Sequence, residues 1–222
     1  MVSWAVPITT PAGLSPGDLY RLAFVTSTKR NGASSAIADY NAFVTGVANA
    51  ESTGTLAALG TTWRAIGSTA SVTARDNTGT NPSSTGVPIY LLDGVTIIAN
   101  NNADLWDGTI LNVFDLFEDG TTKNDPAPLV PNLVWTGTGP TGIVGNFPLG
   151  SGGPDIGHTN SLGTSWIQIG GSTETVDFRF YALSDVLTVA SGGAPIPEPS
   201  TMLLLGSGLA GLVAWRMRKG RA

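Results

Sequence analysis

The chain of 222 residues has no cysteine, a single histidine and only 12% charged residues. Without cysteine there are no disulfides, no thiolate metal sites and no cysteine nucleophile. With His158 alone, multi-histidine metal centres and His–His relays are also excluded. The scarcity of charge is uneven. Four of the eleven basic residues, Arg216, Arg218, Lys219 and Arg221, stand at the C-terminal end, so residues 1–196 carry seven basic against fifteen acidic groups. An acidic body without a basic patch argues against a nucleic-acid partner. The opening Met1-Val2-Ser3-Trp4-Ala5-Val6-Pro7 has neither a basic n-region nor a long apolar h-region. Residues 1–19 are read as a lead-in that holds the remnant of a signal sequence.

What is abundant is turn chemistry and aromatic bulk. The 29 glycines, with many Thr, Ser and Asn, imply short strands joined by turns. Hydrophobic residues at 41% and six tryptophans are too many for a disordered chain. Residues 20–26 predict a strand. Ser34 or Ser35 can cap a helix running to about Asn49, with Ile37, Tyr40, Val44 and Val47 on one face. Further strands are expected at 62–66, at 87–92 and 95–99 as a hairpin turning on Asp93-Gly94, and at 133–136, 165–169 and 177–183. Long polar connections fill 68–86, 100–128 and 137–164. One early helix with many short antiparallel strands predicts a single irregular α+β domain over 20–189.

At 190–199 the pattern breaks. Pro195, Pro197 and Pro199 forbid a helix or a central strand, so this stretch is a Gly/Pro linker. Residues 200–215 contain no charge and predict a transmembrane helix. Residues 201–215 rise roughly 22 Å as a helix, short of a hydrocarbon core of about 30 Å. Trp215 at the interface and snorkelling Arg216 and Arg218 would extend the span. Residues 216–222 then form a basic cytoplasmic stub, which places the body on the far side of the membrane.

Pro197-Glu198-Pro199-Ser200-Thr201, a Leu/Gly/Ala run, then Trp215 and the Arg/Lys cluster together resemble the PEP-CTERM sorting signal of Gram-negative bacteria. The resemblance covers about 195–222. It implies an exosortase-class membrane protease-transpeptidase as partner, reading Pro197, Glu198 and Pro199. It also implies an inner-membrane precursor delivered to the cell surface, and a setting of exopolysaccharide and biofilm. Proline fixes φ and favours extended backbone, the shape that a protease cleft grips through main-chain contacts. The stub residues Arg216, Arg218, Lys219 and Arg221 act as the positive stop.

Within the body, 20–27, 38–41, 63–65, 103–108 and 134–138 follow an order similar to a bacterial surface domain of the endostatin-like branch of the C-type-lectin-like fold. The disulfides common in that fold are impossible here. The Glu-Pro-Asn and Trp-Asn-Asp motifs of true lectins are absent, so the resemblance carries a fold and not a lectin activity.

Three local constellations could carry chemistry. Asp104, Asp107, Asp115, Glu118 and Asp119, with Asn101 and Asn102 near, form the densest acidic stretch and a candidate calcium site, although the spacing matches no EF-hand loop. The competing reading is a solvated acidic loop, and no other cofactor is implied. Trp63, Trp106, Trp135 and Trp166 could stack on sugars; three of them are expected in the core, with Trp106 exposed between Asp104 and Asp107. His158 with Asp155 and Ser161 could be imagined as a hydrolytic relay, but no Gly-Xaa-Ser-Xaa-Gly elbow is present. A solvated loop histidine is the simpler reading. The expectation is therefore a surface or biofilm structural or interaction protein that is not an enzyme, with an exopolysaccharide-binding module as the alternative.

Overall fold

The computed structural model describes residues 6–123 and 132–191. The chain divides into two units, Met1–Val189 and Ala190–Ala222. The linker from 192 onward, the sorting-signal residues and the expected span at 200–215 all lie outside the described residues.

Leu19–Val25 forms β1, and all of Tyr20–Val25 is buried. A strand buried on both faces is a central one, and the buried Arg21 within it is satisfied by donating to Thr78 O at 2.9 Å and Ser184 O at 2.7 Å. β1 is followed by α1 (Ile37–Asn49), α2 (Thr55–Ala58), β2 (Trp63–Ala65), α3 (Ala74–Asn77), β3 (Ile89–Leu91), β4 (Ile97–Ala99) and α4 (Asn102–Leu105). Then come β5 (Leu133–Trp135), β6 (Asp155–His158), a 3-10 turn at Thr164–Trp166, β7 (Gly170–Gly171), β8 (Tyr181–Ser184) and β9 (Leu187–Thr188).

The main sheet runs β2-β8-β1-β3-β4, with β9 pairing β1 beyond β8's register. β1 and β3 are parallel, Arg21 opposite Ile89 and Ala23 opposite Leu91, while the other pairs are antiparallel. A second, small antiparallel sheet is β5-β6-β7.

Alternation along the strands feeds two cores. Tyr20, Leu22 and Phe24 of β1, Trp63 and Ala65 of β2 and Ala182 of β8 face α1, whose Tyr40, Val44 and Ala48 are buried. Ala23, Val25, Ile89, Leu91, Tyr181 and Leu183 face a second cluster of Trp106, Phe114 and Trp166. Phe114 stacks on Trp166 at 6.0 Å and lies 4.3 Å from Tyr181, centroid to centroid.

This arrangement corrects the expected fold class. The body is a mixed α/β structure, because the central β1–β3 pair is parallel and reaches its register only through a crossover holding α1, α2, β2 and α3. Helices are interspersed among the strands: four occur among the described residues where one was expected. No helix among the described residues is long and apolar enough to cross a membrane.

Local departures have physical causes. Residues 165–169 were expected to form a strand, but Trp166 and Ile167 are both fully buried, a consecutive pair that a one-sided strand cannot deliver. β6 lies inside the expected 137–164 connection. The start of α1 is not capped by a serine side chain. Ser34 Oγ instead accepts from Ala36 N at 3.1 Å and donates to Asp39 Oδ2 at 2.6 Å. The β3–β4 turn falls at Asp93-Gly94, with Gly94 at φ +71°. Asp93 Oδ1 accepts from Val95 N at 3.0 Å and Thr96 N at 2.8 Å.

Candidate functional site

The carboxylates of the acidic stretch are engaged in local turns and caps. Asp107-Gly108-Thr109 and Asp119-Gly120-Thr121 are the same tripeptide folded the same way. Each aspartate Oδ1 accepts from the backbone N and the Oγ1 of the threonine two residues on, at 2.9 and 2.8 Å in the first and 2.9 and 2.6 Å in the second. Asp104 Oδ2 accepts from Asn100 N and Nδ2 at 2.6 and 2.9 Å, beside the cap that Asn101 Oδ1 makes to Asp104 N. Glu118 is buried and takes both Ser27 N, at 2.8 Å, and Ser27 Oγ. Asp115 stands apart from these turns. Among the described residues no three His, Cys, Asp or Glu side chains are grouped so that they could hold a metal ion. The repeated Asp-Gly-Thr was the signal in the sequence for these two turns.

Trp106 is also corrected, being only 4% exposed. It follows α4, whose Ala103 and Asp104 keep to the outer side, and its indole turns in against Trp166, 5.9 Å away. Its one polar atom, Nε1, donates to the buried Thr80 Oγ1 at 2.9 Å. Gly142, at φ +75°, packs flat on the ring, and a Cβ there would sit 2.5 Å from it. Trp63, Trp135 and Trp166 are fully buried.

His158 ends β6 and is half-buried, not part of a solvated loop. Its Nδ1 accepts from Asn160 N at 3.3 Å. Burial, and then the charge of Lys123, push its pKa below the usual histidine value. Asp155 lies three residues earlier on the same strand and so points to the opposite face. It is 2% exposed, and its Oδ2 accepts from Phe147 N at 3.1 Å and Gln168 Nε2 at 2.8 Å. The two are not a relay.

The sequence reading missed a buried group of different chemistry. Lys123 and Asn132 are 9% and 3% exposed, and Lys123 Nζ donates to Asn132 Oδ1. Lys123 N donates to Asp115 O at 2.6 Å, and Thr159 N to Asn132 O at 2.9 Å. Burial raises the Asp115 carboxyl above its ordinary pKa, helped by Asp93 and opposed by its own backbone amide and by Lys123. The only hint in the sequence is that Lys123 is the one lysine between Lys29 and Lys219.

The surface also carries two clefts, the first of which reaches the Ser27–Glu118 pair. One of ≈ 530 Å³ runs along the exposed side of α1 past Phe43, Gly46 and Val47 to Ser27 and Glu118. The other, ≈ 580 Å³, is lined by Phe147, Ser151, Gly152, Gly153, Gly171, Ser172 and Thr173. Phe147 is 53% exposed at its edge.

The described residues thus supply a filled, two-core body, and the comparisons with known proteins bear on the segment beyond it. No curated protein matches the chain. The likeness of the body to the C-type-lectin-like fold gains no support. Residues 195–219 match the model of the PEP-CTERM protein-sorting motif, over the segment that holds Pro197, Glu198 and Pro199. The chain carries a PEP-CTERM sorting tail, the signal by which exosortase-type processing at the membrane sends a protein to the cell envelope or surface.

Proposed function

We propose that the protein is a non-catalytic structural or interaction component of the cell surface or its biofilm matrix, made as an inner-membrane precursor and released by an exosortase-type enzyme that reads Pro197-Glu198-Pro199. The match over 195–219 is the observation that carries this reading. It follows a separate compact unit, Met1–Val189, that holds two internal hydrophobic cores. The test is immunoblotting of membrane and surface fractions in a host that has its exosortase. Glu198→Ala combined with Pro197→Ser and Pro199→Ser should leave full-size precursor in the inner membrane. Normal size shift and surface delivery of that variant would reduce the tail to a spacer.

A second reading is an exopolysaccharide-binding module with the same tail. It is favoured by one feature, the open cleft in which the exposed ring of Phe147 sits among Ser151, Ser172 and Thr173. An aromatic face with hydroxyls around it suits a sugar ring. Trp106 has no part in this, being buried. Retention on immobilised host exopolysaccharide that is lost in Phe147→Ala would establish it, and equal retention of both proteins would exclude this cleft.

A further inference from the structure

We infer that the cleft at Phe147 is a preformed site for an uncharged glycan segment, with the ring carrying the face of one sugar and the surrounding hydroxyls and main chain meeting its hydroxyl groups. The inference rests on the second reading above and assigns the class of polymer that the cleft takes. Phe147 is the one aromatic ring among the described residues that is exposed. Its ring is free, yet its backbone is fixed on both sides by a single residue. Phe147 N donates to Asp155 Oδ2 at 3.1 Å, and Phe147 O accepts from Asp155 N at 2.8 Å. Asp155 is itself buried, and Gln168 Nε2 donates to the same Oδ2 at 2.8 Å.

The other side of the cleft hangs on the same place. Asp155 stands opposite Gly171 in the β6–β7 register, and Ser172 N donates to Pro154 O at 3.0 Å. Gly152 N donates to Glu174 Oε2 at 2.8 Å, which ties the edge of the cleft to the chain just beyond Thr173. A ring and a wall held by one buried residue need little ordering when a ligand enters, which lowers the cost of binding.

The lining has the chemistry of a neutral sugar site. The hydroxyls of Ser151, Ser172 and Thr173 make no hydrogen bond to another described residue, so all three are free for a ligand. Each can donate and accept, as a sugar hydroxyl also does. A Cβ at Gly171 would lie 2.5 Å from Gly153 O, so this part of the cleft stays bare main chain. None of the lining residues is charged. The carboxylate bonded at Gly152 is that of Glu174, and residues 1–196 carry seven basic against fifteen acidic groups. A uronate or sulfated chain would bring like charge to a cleft whose lining offers no cation to pair it. The volume, ≈ 580 Å³, falls within the range of about 300–1,000 Å³ usual for small-ligand sites, and the open form lets a polymer run through.

The experiment is affinity electrophoresis of the full chain in mild detergent, in native gels that contain one polymer each. The uncharged probes are dextran, galactomannan and the neutral fraction of the host exopolysaccharide; the charged ones are alginate and the acidic fraction. Retardation by at least one uncharged polymer, the same at low and high salt, is expected. Phe147→Ala should lose about tenfold in affinity, the scale of one stacked ring, while melting at the parent temperature because the ring is largely in water. Ser151→Ala combined with Thr173→Val changes two exposed positions and should also weaken retardation, which keeps the test intact if Phe147→Ala folds poorly. Retardation by the acidic polymers alone, abolished in Phe147→Ala, would overturn the uncharged class and leave the second reading standing. Equal retardation of the parent and both variants would overturn the inference by placing binding elsewhere. No retardation by any polymer, the host fractions included, would remove both the inference and the reading it rests on.

Discussion

Asn41 on α1 and Asn77 on α3 exchange carboxamide hydrogen bonds, Asn41 Nδ2 to Asn77 Oδ1 at 2.8 Å and Asn77 Nδ2 to Asn41 Oδ1 at 2.9 Å. The pair also closes on β2, where Ala65 N donates to Asn41 Oδ1 at 2.9 Å and Ala65 O accepts from Asn77 Nδ2 at 2.8 Å. Three elements far apart in sequence are thus locked at one point, and Asn77 is 7% exposed. Replacing one partner leaves the other's amide group buried and unpaired. Asn77→Ala should cost about 1–3 kcal/mol in urea unfolding. In a double-mutant cycle, Asn41→Ala with Asn77→Ala should lose less than the sum of the two, with a coupling of about 0.5–3 kcal/mol. Strict additivity would show that the two act apart.

Alkaline stability should depend on Tyr40. Burial, against the opposing pull of Arg30 and the bond to Ser34 O, pushes its phenol up to about 12 from an ordinary 10.0. The folded state then holds a proton that the unfolded chain releases. This contribution is complete below pH 10 and is lost as pH rises from 10 through about 12. Tyr181, which burial also raises, acts with the same sign. Tyr40→Phe should therefore cost about 1 kcal/mol at neutral pH, from the lost bond to Ser34 O. It should also flatten part of the alkaline fall in the urea midpoint. An unchanged alkaline slope would remove Tyr40 as its source.

Trp106 should behave as a core residue and not as a ligand contact. Trp106→Ala should destabilise by about 3–5 kcal/mol. Gly142→Ala should cost about 1–3 kcal/mol, because the new Cβ meets the indole and the backbone is at φ +75°. Chemical denaturation measures both. A loss of glycan retention in Trp106→Ala with unchanged stability would contradict this placement.

Much of this fold was written in local patterns. The run at 20–26, the three- and four-residue recurrence on α1 and the Asp93-Gly94 turn each point to a nearby structure, and each is found with its ends shifted by a few residues. The parallel β1–β3 pairing was not legible, because it joins segments that share no local signal and are separated by a crossover of three helices and a strand. The short helices α3 and α4 are fixed by side-chain caps, Thr73 Oγ1 to Asp76 N and Asn101 Oδ1 to Asp104 N, inside stretches that read as polar loop. Trp106 misled for the same reason: the polarity of its neighbours described the outside of a turn whose inside it fills. The Lys123–Asn132 contact has no pattern at all, since only the tertiary fold brings those two groups together. The sorting motif is the opposite case, a linear signal read in order along the chain.

The last strand sets how much of the C-terminal end the body needs. β9 pairs with the start of β1, Leu19 opposite Thr188 and Tyr20 opposite Leu187. Beyond it Val189 N donates to Asp18 O and Val189 O accepts from Gly17 N, both at 2.9 Å, and Val189 is 8% exposed. A chain ending after residue 191 keeps all of these contacts and should unfold at the same temperature as the full chain. A chain ending after Asp185 loses the pairing with β1 and uncovers the Tyr20 side of the first core. Removing Val189 and the half-buried Leu187 withdraws about 2–4 kcal/mol of apolar burial, a fall of roughly 5–10 °C for a body of this size. Calorimetry of the two truncations separates the cases. If the longer one aggregates or melts early, residues beyond 191 belong to the folded core and the boundary after Val189 is misplaced.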